Sequence, residues 1–233
     1  MAEGGRGIRT HLIPVPSAFF HEWTFASRGG GEPIMSVSAK EVKALRDHTG
    51  VGMMDCKGAL QETGGDFEAA VDLLRSKGAA KAAKRADRAT NEGTIGHYLH
   101  HGARIGVLVE LNCETDFVAN TEGFRDLARD LAMHIAAANP LAVRPEELPE
   151  DLLERERKVY LEQVRGEGKP EAIQDKIVEG KMRKFFEESI LLKQKFVKNP
   201  EQTIEDLITE ISARTGEKIQ VASFSRLEVG VMG

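Results

Sequence analysis

The chain has 233 residues, of which 41% are hydrophobic, 30% are charged and 6% are aromatic, and its formal net charge is −5. This balance is typical of a soluble globular protein with a small module beside a larger core, and it argues against bulk attraction to nucleic acid. The sequence holds no run of about 20 apolar residues that would span a membrane, and Cys56 and Cys113 lack the spacing of a zinc site or a disulfide framework. We therefore expect a cytoplasmic protein that needs no metal or other cofactor.

Residues 1–35 differ in composition from the rest of the chain. They are Gly-rich at both ends, and their apolar stretch is interrupted by Pro14 and Pro16. A secretory signal needs a basic start and an unbroken apolar segment, and a transit peptide needs more arginine than acid, but neither pattern is present. We predict that residues 1–35 are a disordered or non-native N-terminal extension.

Residues 36–78 have the pattern of three short helices. Ser38, with Glu41 three residues later, forms a capping box that begins the first helix, and a Gly-x-Gly turn separates it from the second. Asp66 can cap the third helix, which Gly78 would end. This arrangement predicts a three-helix module of the ubiquitin-associated type.

Residues 79–92 are predicted to form a linker helix. Asp87 lies within its basic stripe and no aromatic residues are interleaved, so a solvated linker is favoured over an RNA-binding face, whose binding would depend steeply on salt. The basic residues recur at steps of three and four and are Lys81, Lys84, Arg85 and Arg88.

Residues 93–233 are predicted to form the core domain. Two strands are expected on either side of a hairpin turn at His101 and Gly102. The second strand alternates between apolar and other residues, which is the period of a strand with one buried face. Its apolar positions are Ile105, Val107, Val109 and Leu111.

The remainder of the core is predicted to be mainly helical. Two amphipathic helices over about residues 150–190 form a helical hairpin, because Gly166, Gly168 and Pro170 supply the turn between them. A last helix and a β-branched strand over residues 219–229 follow. The fold class is therefore α+β, with the three-helix module, the linker helix and a small antiparallel sheet of about three strands packed with helices.

A corner with the sequence ELNCETDFVAN joins the second strand to the helix after it. Thr115 and Asn120 could cap short helical turns there, which would leave Asp116 and Phe117 between them. Two interpretations stay open on spacing alone. Phe117 is either a core residue beside a capping Asp116, or an aromatic presented to a partner.

No residue pattern in the chain predicts covalent catalysis. Thr49 to Gly52 lacks the ending of a phosphate loop, and the alternation of strand residues places His97 and His101 on one face and His100 on the other, away from acidic or cysteine ligands. We expect neither a nucleotide site nor a metal site at these positions, and we expect no enzymatic activity.

Three strings of the sequence resemble the elongation factor Ts family. They are ELNCETDFVAN, LRDHTGVGMMDCKGAL and HGARIGVLV, and the resemblance extends over residues 36–230. It implies a translation elongation factor that binds elongation factor Tu in its GDP-bound and nucleotide-free states. Such a factor releases GDP by disturbing the Mg²⁺ and phosphate site of its partner, so that GTP can load.

The resemblance also implies which residues meet that partner. One group would dislocate the Mg²⁺ of elongation factor Tu, and a second would only bind the partner protein. The first group is Thr115, Asp116, Phe117 and Val118, and the second is Arg46, Met53, Met54 and His101.

Two further expectations concern association. Longer family members carry two core halves, whereas this chain has both contact features in one core, so we expect a homodimer. The alternative function is a non-catalytic protein-binding module that acts through its ubiquitin-associated-like helical bundle. The corner distinguishes the two functions, because a simple adaptor has no need of it.

Overall fold

The computed structural model describes residues 37–231, and the predicted extension over residues 1–35 therefore lies outside the described part. Within the described residues the chain forms eight α-helices and five β-strands. None of these helices is both long and apolar enough to cross a membrane.

The first three helices share a hydrophobic core of their own. They are α1 (Ala39–Thr49), α2 (Met53–Glu62) and α3 (Phe67–Ala83), and we call them the N-terminal module. The capping box is present: Glu41 N donates to Ser38 Oγ at 3.2 Å, and Ser38 N donates to Glu41 Oε2 at 2.8 Å. The buried residues that the helices share are Val42, Leu45, Cys56, Ala59, Leu60, Ala70 and Leu74.

The predicted separate linker helix over residues 79–92 is wrong. Helix α3 continues through Gly78 to Ala83, and residues 84–91 are turns and extended chain. Gly78 is buried, and a Cβ added there would lie 3.3 Å from Cβ of Ala213. The glycine therefore permits close packing against a helix of the core, which the sequence alone does not distinguish from a helix end.

The predicted α+β class and the antiparallel sheet of three strands are confirmed. The strands are β1 (Glu92–Leu99), β2 (Ile105–Cys113) and β5 (Gln220–Glu228), in the order β1-β2-β5. The turn between β1 and β2 contains Gly102, whose φ of 86° favours glycine. Alternate side chains of β2 are buried, as the apolar period predicted, and those of the other face stay more exposed.

Helix α5 (Glu122–Ala138) covers the buried face of this sheet, and helix α8 (Ile204–Thr215) contributes Ile204 and Ile208 to the same hydrophobic core. The largest fully buried side chains of this core are Leu111, Phe124, Leu131, Ile135, Leu191 and Ile204. Burial of an apolar side chain of this size contributes roughly 1.5–3 kcal/mol to stability.

A helical hairpin and a second small sheet complete the core domain. Helices α6 (Glu150–Gly166) and α7 (Glu171–Ser189) pack against each other in the segment where a hairpin was expected. Strands β3 (Lys195–Phe196) and β4 (Asn199–Thr203) form a two-stranded sheet that was not predicted. Phe196 is buried in the main hydrophobic core and so holds this sheet against it.

Beside this small sheet, His134 of α5 is fully buried as a neutral imidazole. Val197 N donates to its Nδ1 at 3.3 Å, so Nε2 carries the proton and donates to Oε1 of Gln194 at 3.0 Å. Burial lowers the pKa of His134 from its ordinary 6.5, and the hydrogen bond with Gln194 opposes this in part.

We expect the close approach of β1 to α5 to be sensitive to one methyl group. A Cβ at Gly96 would collide with the main-chain carbonyl of Ala128, whereas a Cβ at Gly106, on the open face, would find its nearest neighbour at 3.6 Å. Gly96→Ala should therefore lower the free energy of unfolding by about 1–3 kcal/mol, and Gly106→Ala should change it by no more than about 0.5 kcal/mol. Urea denaturation measures both. Equal midpoints for the two variants would contradict this account.

We also expect the buried histidine to make stability depend on pH. The unfolded chain binds a proton at His134 near pH 6.5, whereas the folded chain does so only at lower pH, so acidification favours unfolding. The free energy of unfolding should decrease as the pH is lowered from 6.5. Titration of His134 alone should change that free energy by up to about 1.4 kcal/mol per pH unit. Urea denaturation at pH 7.5, 6.5 and 5.5, compared with His134→Gln, tests it. A variant that retains the full slope would contradict the assignment.

Candidate functional site

The corner after β2 presents Phe117 to solvent. Residues Asp116–Ala119 form α4, a single helical turn between β2 and α5. Ala119 is buried and Val118 packs against the main core, whereas Asp116 is exposed and Phe117 has 82% of its surface accessible. The interpretation of Phe117 as a core residue is therefore wrong. The turn is anchored on one side and offers an aromatic ring on the other.

Thr115 lies at the start of α4 but does not cap it, contrary to the prediction. Its hydroxyl donates to Oε1 of Glu217 at 2.5 Å instead. The other carboxylate oxygen, Oε2, accepts the backbone N–H groups of Glu114 and Thr115, each at 3.1 Å. Glu217 thus binds the backbone just before α4, and the Thr115 hydroxyl is bonded to Glu217 rather than to an N–H of the first helical turn. Sequence reasoning missed it because it is 102 residues from Thr115.

Glu114 makes the reciprocal contact with the loop that carries Glu217. Its Oε1 accepts the backbone N–H of Lys218 at 2.6 Å, and Arg88 donates to both of its carboxylate oxygens at 3.2 Å. The pKa of Glu114 is lowered, chiefly by the hydrogen bond from Lys218 N and further by Arg88. Each of the two loops therefore supplies a carboxylate to the backbone of the other.

The far end of α4 is also fixed by hydrogen bonds. Asn120 follows α4 as its C-cap residue, which confirms the prediction that it could cap a short helical turn, and Thr121 caps α5 by accepting the N–H of Phe124 at 3.3 Å. Asn120 Nδ2 donates to Asp116 O at 2.9 Å, and Arg125 donates to Asn120 Oδ1 at 2.8 Å. Both ends of the turn that carries Phe117 are held.

Cys113 lies directly beneath this corner as a buried thiol. Its Sγ donates to the carbonyl oxygen of Thr115 at 3.2 Å. Burial raises the pKa of Cys113, and the charge of Glu217 raises it further. The thiol is therefore protonated at neutral pH and helps to support the corner as a small apolar group.

The second predicted group is exposed on the N-terminal module. Met53 and Met54 begin α2 with 45% and 76% of their surfaces accessible, while the next core-facing residue of that helix is Cys56. Adjacent helical side chains point in different directions, yet both methionines are exposed. Arg46, in the last turn of α1, is exposed as well.

His101 lies apart from the corner. It is exposed in the turn before β2, whereas the corner follows the other end of that strand. Nine strand residues separate the two by roughly 25–30 Å at about 3.3 Å per residue. No cluster of three potential metal ligands involves His101, or any other residue among 37–231.

The basic stripe, which begins in α3 at Lys81 and ends at Arg88, is mostly exposed, as expected of a solvated face, and three of its side chains also make contacts within the protein. Lys81 pairs with Asp55 at 2.9 Å, and Arg85 donates to the carbonyl oxygen of Ser212 at 3.2 Å. Arg88 binds Glu114 as described above. Lys81 therefore holds α3 to α2 within the module, whereas Arg85 and Arg88 join the turns after α3 to the core.

Comparison with known proteins gives a consistent result. A family model described as Elongation factor TS matches residues 68–231. The protein named elongation factor Ts from Syntrophobacter fumaroxidans is 55% identical over 196 residues, which is 84% of this chain and 98% of that protein. The proteins of the same name from Desulfotalea psychrophila and Fervidobacterium nodosum are 56% and 52% identical over 196 residues, 84% of this chain and 100% of each relative. This chain belongs to the elongation factor Ts family of translation elongation factors.

Proposed function

We propose that this chain is a guanine-nucleotide exchange factor for elongation factor Tu. It binds the GDP-bound and nucleotide-free forms of that protein in the cytoplasm and speeds the release of GDP, so that GTP can load. The observation that carries the proposal is the 82% exposure of Phe117 on a turn whose ends are both held by hydrogen bonds. An aromatic ring that is held in water on a fixed turn is well placed to be buried by a partner, where a single aromatic side chain can supply much of the binding energy.

The mechanism is mechanical and electrostatic rather than covalent. Phe117 enters the partner near the bound nucleotide, and Asp116 brings a carboxylate to the same place. The displaced elements of the partner are those that hold Mg²⁺ and the phosphates, so the affinity for GDP falls. Because such coupling is reciprocal, bound GDP lowers the affinity of elongation factor Tu for this chain by the same ratio as this chain lowers its affinity for GDP.

A rigid corner suits this task because little freedom is lost on binding. An aromatic on a loose loop would have to be ordered at the interface, which costs about 0.5–1.5 kcal/mol per side chain. Here α4 is already anchored through Ala119 and through Glu217. More of the energy of burying the ring is then available to displace the partner's elements.

The remaining predicted contacts supply grip at a distance from the corner. Arg46, Met53 and Met54 present a charged and apolar surface on the module, and His101 presents a turn at the other end of β2. Binding at several such places makes each later contact intramolecular. These residues serve affinity, while Thr115 to Val118 serve release.

We further propose that two copies associate through the open face of the sheet. The strand register brings Leu99, Gly106 and Leu227 into one row across the strands and places Leu108 in the next. Leu99, Leu108 and Leu227 each have more than half of their surface accessible, as does Ile95 on the same face. A second copy would cover this apolar face with an identical one.

Removal of the Phe117 ring should separate exchange from folding. Phe117→Ala should change stability by no more than about 0.5 kcal/mol, as surface substitutions do, and should weaken binding to elongation factor Tu by about thirtyfold. Release of fluorescent GDP from elongation factor Tu measures the second effect, and thermal melting measures the first. The matched control is Leu141→Ala, because Leu141 is 55% exposed and lies outside the predicted contacts. Parental exchange by Phe117→Ala would refute the proposal.

A charge on the open sheet face should dissociate the dimer. Sedimentation of the parent at micromolar concentration should give twice the 25.6 kDa of one chain. Leu108→Asp should give one chain, since it would place two carboxylates in an apolar interface. Val159→Asp, on the exposed side of α6, is the control and should remain dimeric. A parent that sediments as a monomer would end this part of the proposal.

A further inference from the structure

We infer that Glu217 is a positioning residue for the exchange corner: its carboxylate, reaching from the loop after α8, sets the direction in which Phe117 is presented. The geometry of the corner supports the claim that Glu217 orients Phe117. The expected effect on GDP release rests on the proposed function. Glu217 lies outside every contact group that the sequence predicted.

The turn that carries Phe117 cannot define its own direction. Helix α4 has four residues, and an isolated turn of that length is unstable because nucleation fixes several dihedral angles for a single hydrogen bond. The hydroxyl that would normally cap it belongs to Thr115, and that hydroxyl is donated away. The orientation of the turn must therefore be imposed by other groups.

Glu217 imposes it through three hydrogen bonds. Both oxygens of the carboxylate are used, since Oε2 accepts from Glu114 N and Thr115 N while Oε1 accepts from Thr115 Oγ1. Hydrogen bonds to a charged acceptor are stronger than neutral ones and more directional in effect when several converge. They fix the two residues that immediately precede α4, and Phe117 is the second residue of that helix.

The carboxylate is itself held in place by α8. Gly216 ends that helix in the left-handed conformation, with φ of 78°, which turns the chain toward the corner. The hydroxyl of Ser212, a buried residue of α8, donates to the carbonyl oxygen of Glu217 at 2.5 Å. The chain of contacts therefore runs from the rigid core through α8 to Glu217, and from there to Phe117.

This role differs from support of the fold as a whole. Glu217 and Thr115 are only half-buried, and neither belongs to the main hydrophobic core. Val118 and Ala119 would still anchor the turn to that core without Glu217. Loss of the carboxylate should thus leave the domain folded and free the start of α4 to move.

The test compares the full-length parent with Glu217→Ala, Glu217→Gln and Phe117→Ala. Glu217→Ala should lower the maximal rate of fluorescent GDP release from elongation factor Tu by about tenfold, the factor for one lost hydrogen bond to a charged group. Glu217→Gln should recover most of that rate, since its carbonyl oxygen can still accept the two backbone N–H groups. Backbone amides of residues 114–119 should exchange hydrogen faster in Glu217→Ala than in the parent.

Glu147→Ala is the matched control. Glu147 also accepts a backbone N–H, that of Val143 at 2.9 Å, and pairs with Arg144 in a loop outside the corner. Glu147→Ala should leave unchanged both the rate of GDP release and the hydrogen exchange of the amides of residues 114–119. The inference would be overturned if Glu217→Ala released GDP at the parental rate, or if it slowed GDP release no more than Glu147→Ala does.

Failure of the proposed function gives a different result. If the parent itself leaves GDP release unchanged, the exchange function is refuted for every variant at once. The amide measurement then decides the inference about Glu217. If the amides of residues 114–119 exchange hydrogen as slowly in Glu217→Ala as in the parent, the inference is overturned. If they alone exchange faster, the inference that Glu217 sets the direction of Phe117 is supported.

Discussion

The close packing of β1 and β2 against α5 is the constraint on which the rest of this structure depends. It buries one face of a three-stranded sheet, and Gly96 allows the backbone of β1 to approach Ala128 without an intervening side chain. On the other face, four apolar side chains keep more than half of their surface exposed among the described residues, and they are Ile95, Leu99, Leu108 and Leu227. The loops at the ends of β2 are then displayed on a rigid frame, which is the usual place for binding residues. The order of the core, together with the hydrogen bonds between the loops of Glu114 and Glu217, makes a defined corner possible.

Much of this arrangement could be predicted from the sequence because its signals are local. The capping box of Ser38 and Glu41, the alternation along β2 and the glycine turn after His101 each act over a few residues. The identity of the corner was also evident, because its letters lie together in the chain. What no local signal gives is the direction of a side chain that depends on distant groups. The exposure of Phe117 therefore stayed one of two alternatives until the structure placed it.

The errors in prediction all come from contacts between segments far apart in the chain. Gly78 resembles a helix end, yet it is buried where α3 crosses α8. Thr115 resembles a cap, yet a carboxylate 102 residues away takes its hydroxyl. Residues 84–91 resemble the continuation of a helix, yet they are turns and extended chain from which Arg85 reaches the carbonyl oxygen of Ser212. In each case a residue with a common local role has been used for a long-range contact.

The crossing of α3 and α8 has a consequence for how a partner is engaged. Gly78 lies against Ala213, and the side chain of Arg214 lies against Gly50, so the N-terminal module is seated on the core by direct packing. The exposed ion pair of Arg75 and Asp206 adds little to this, since such pairs contribute at most about 1 kcal/mol. The methionines of α2 and the ring of Phe117 are therefore held at a fixed separation. If the two binding surfaces of a partner move apart between two nucleotide states, that partner would contact both groups in one state and only one group in the other.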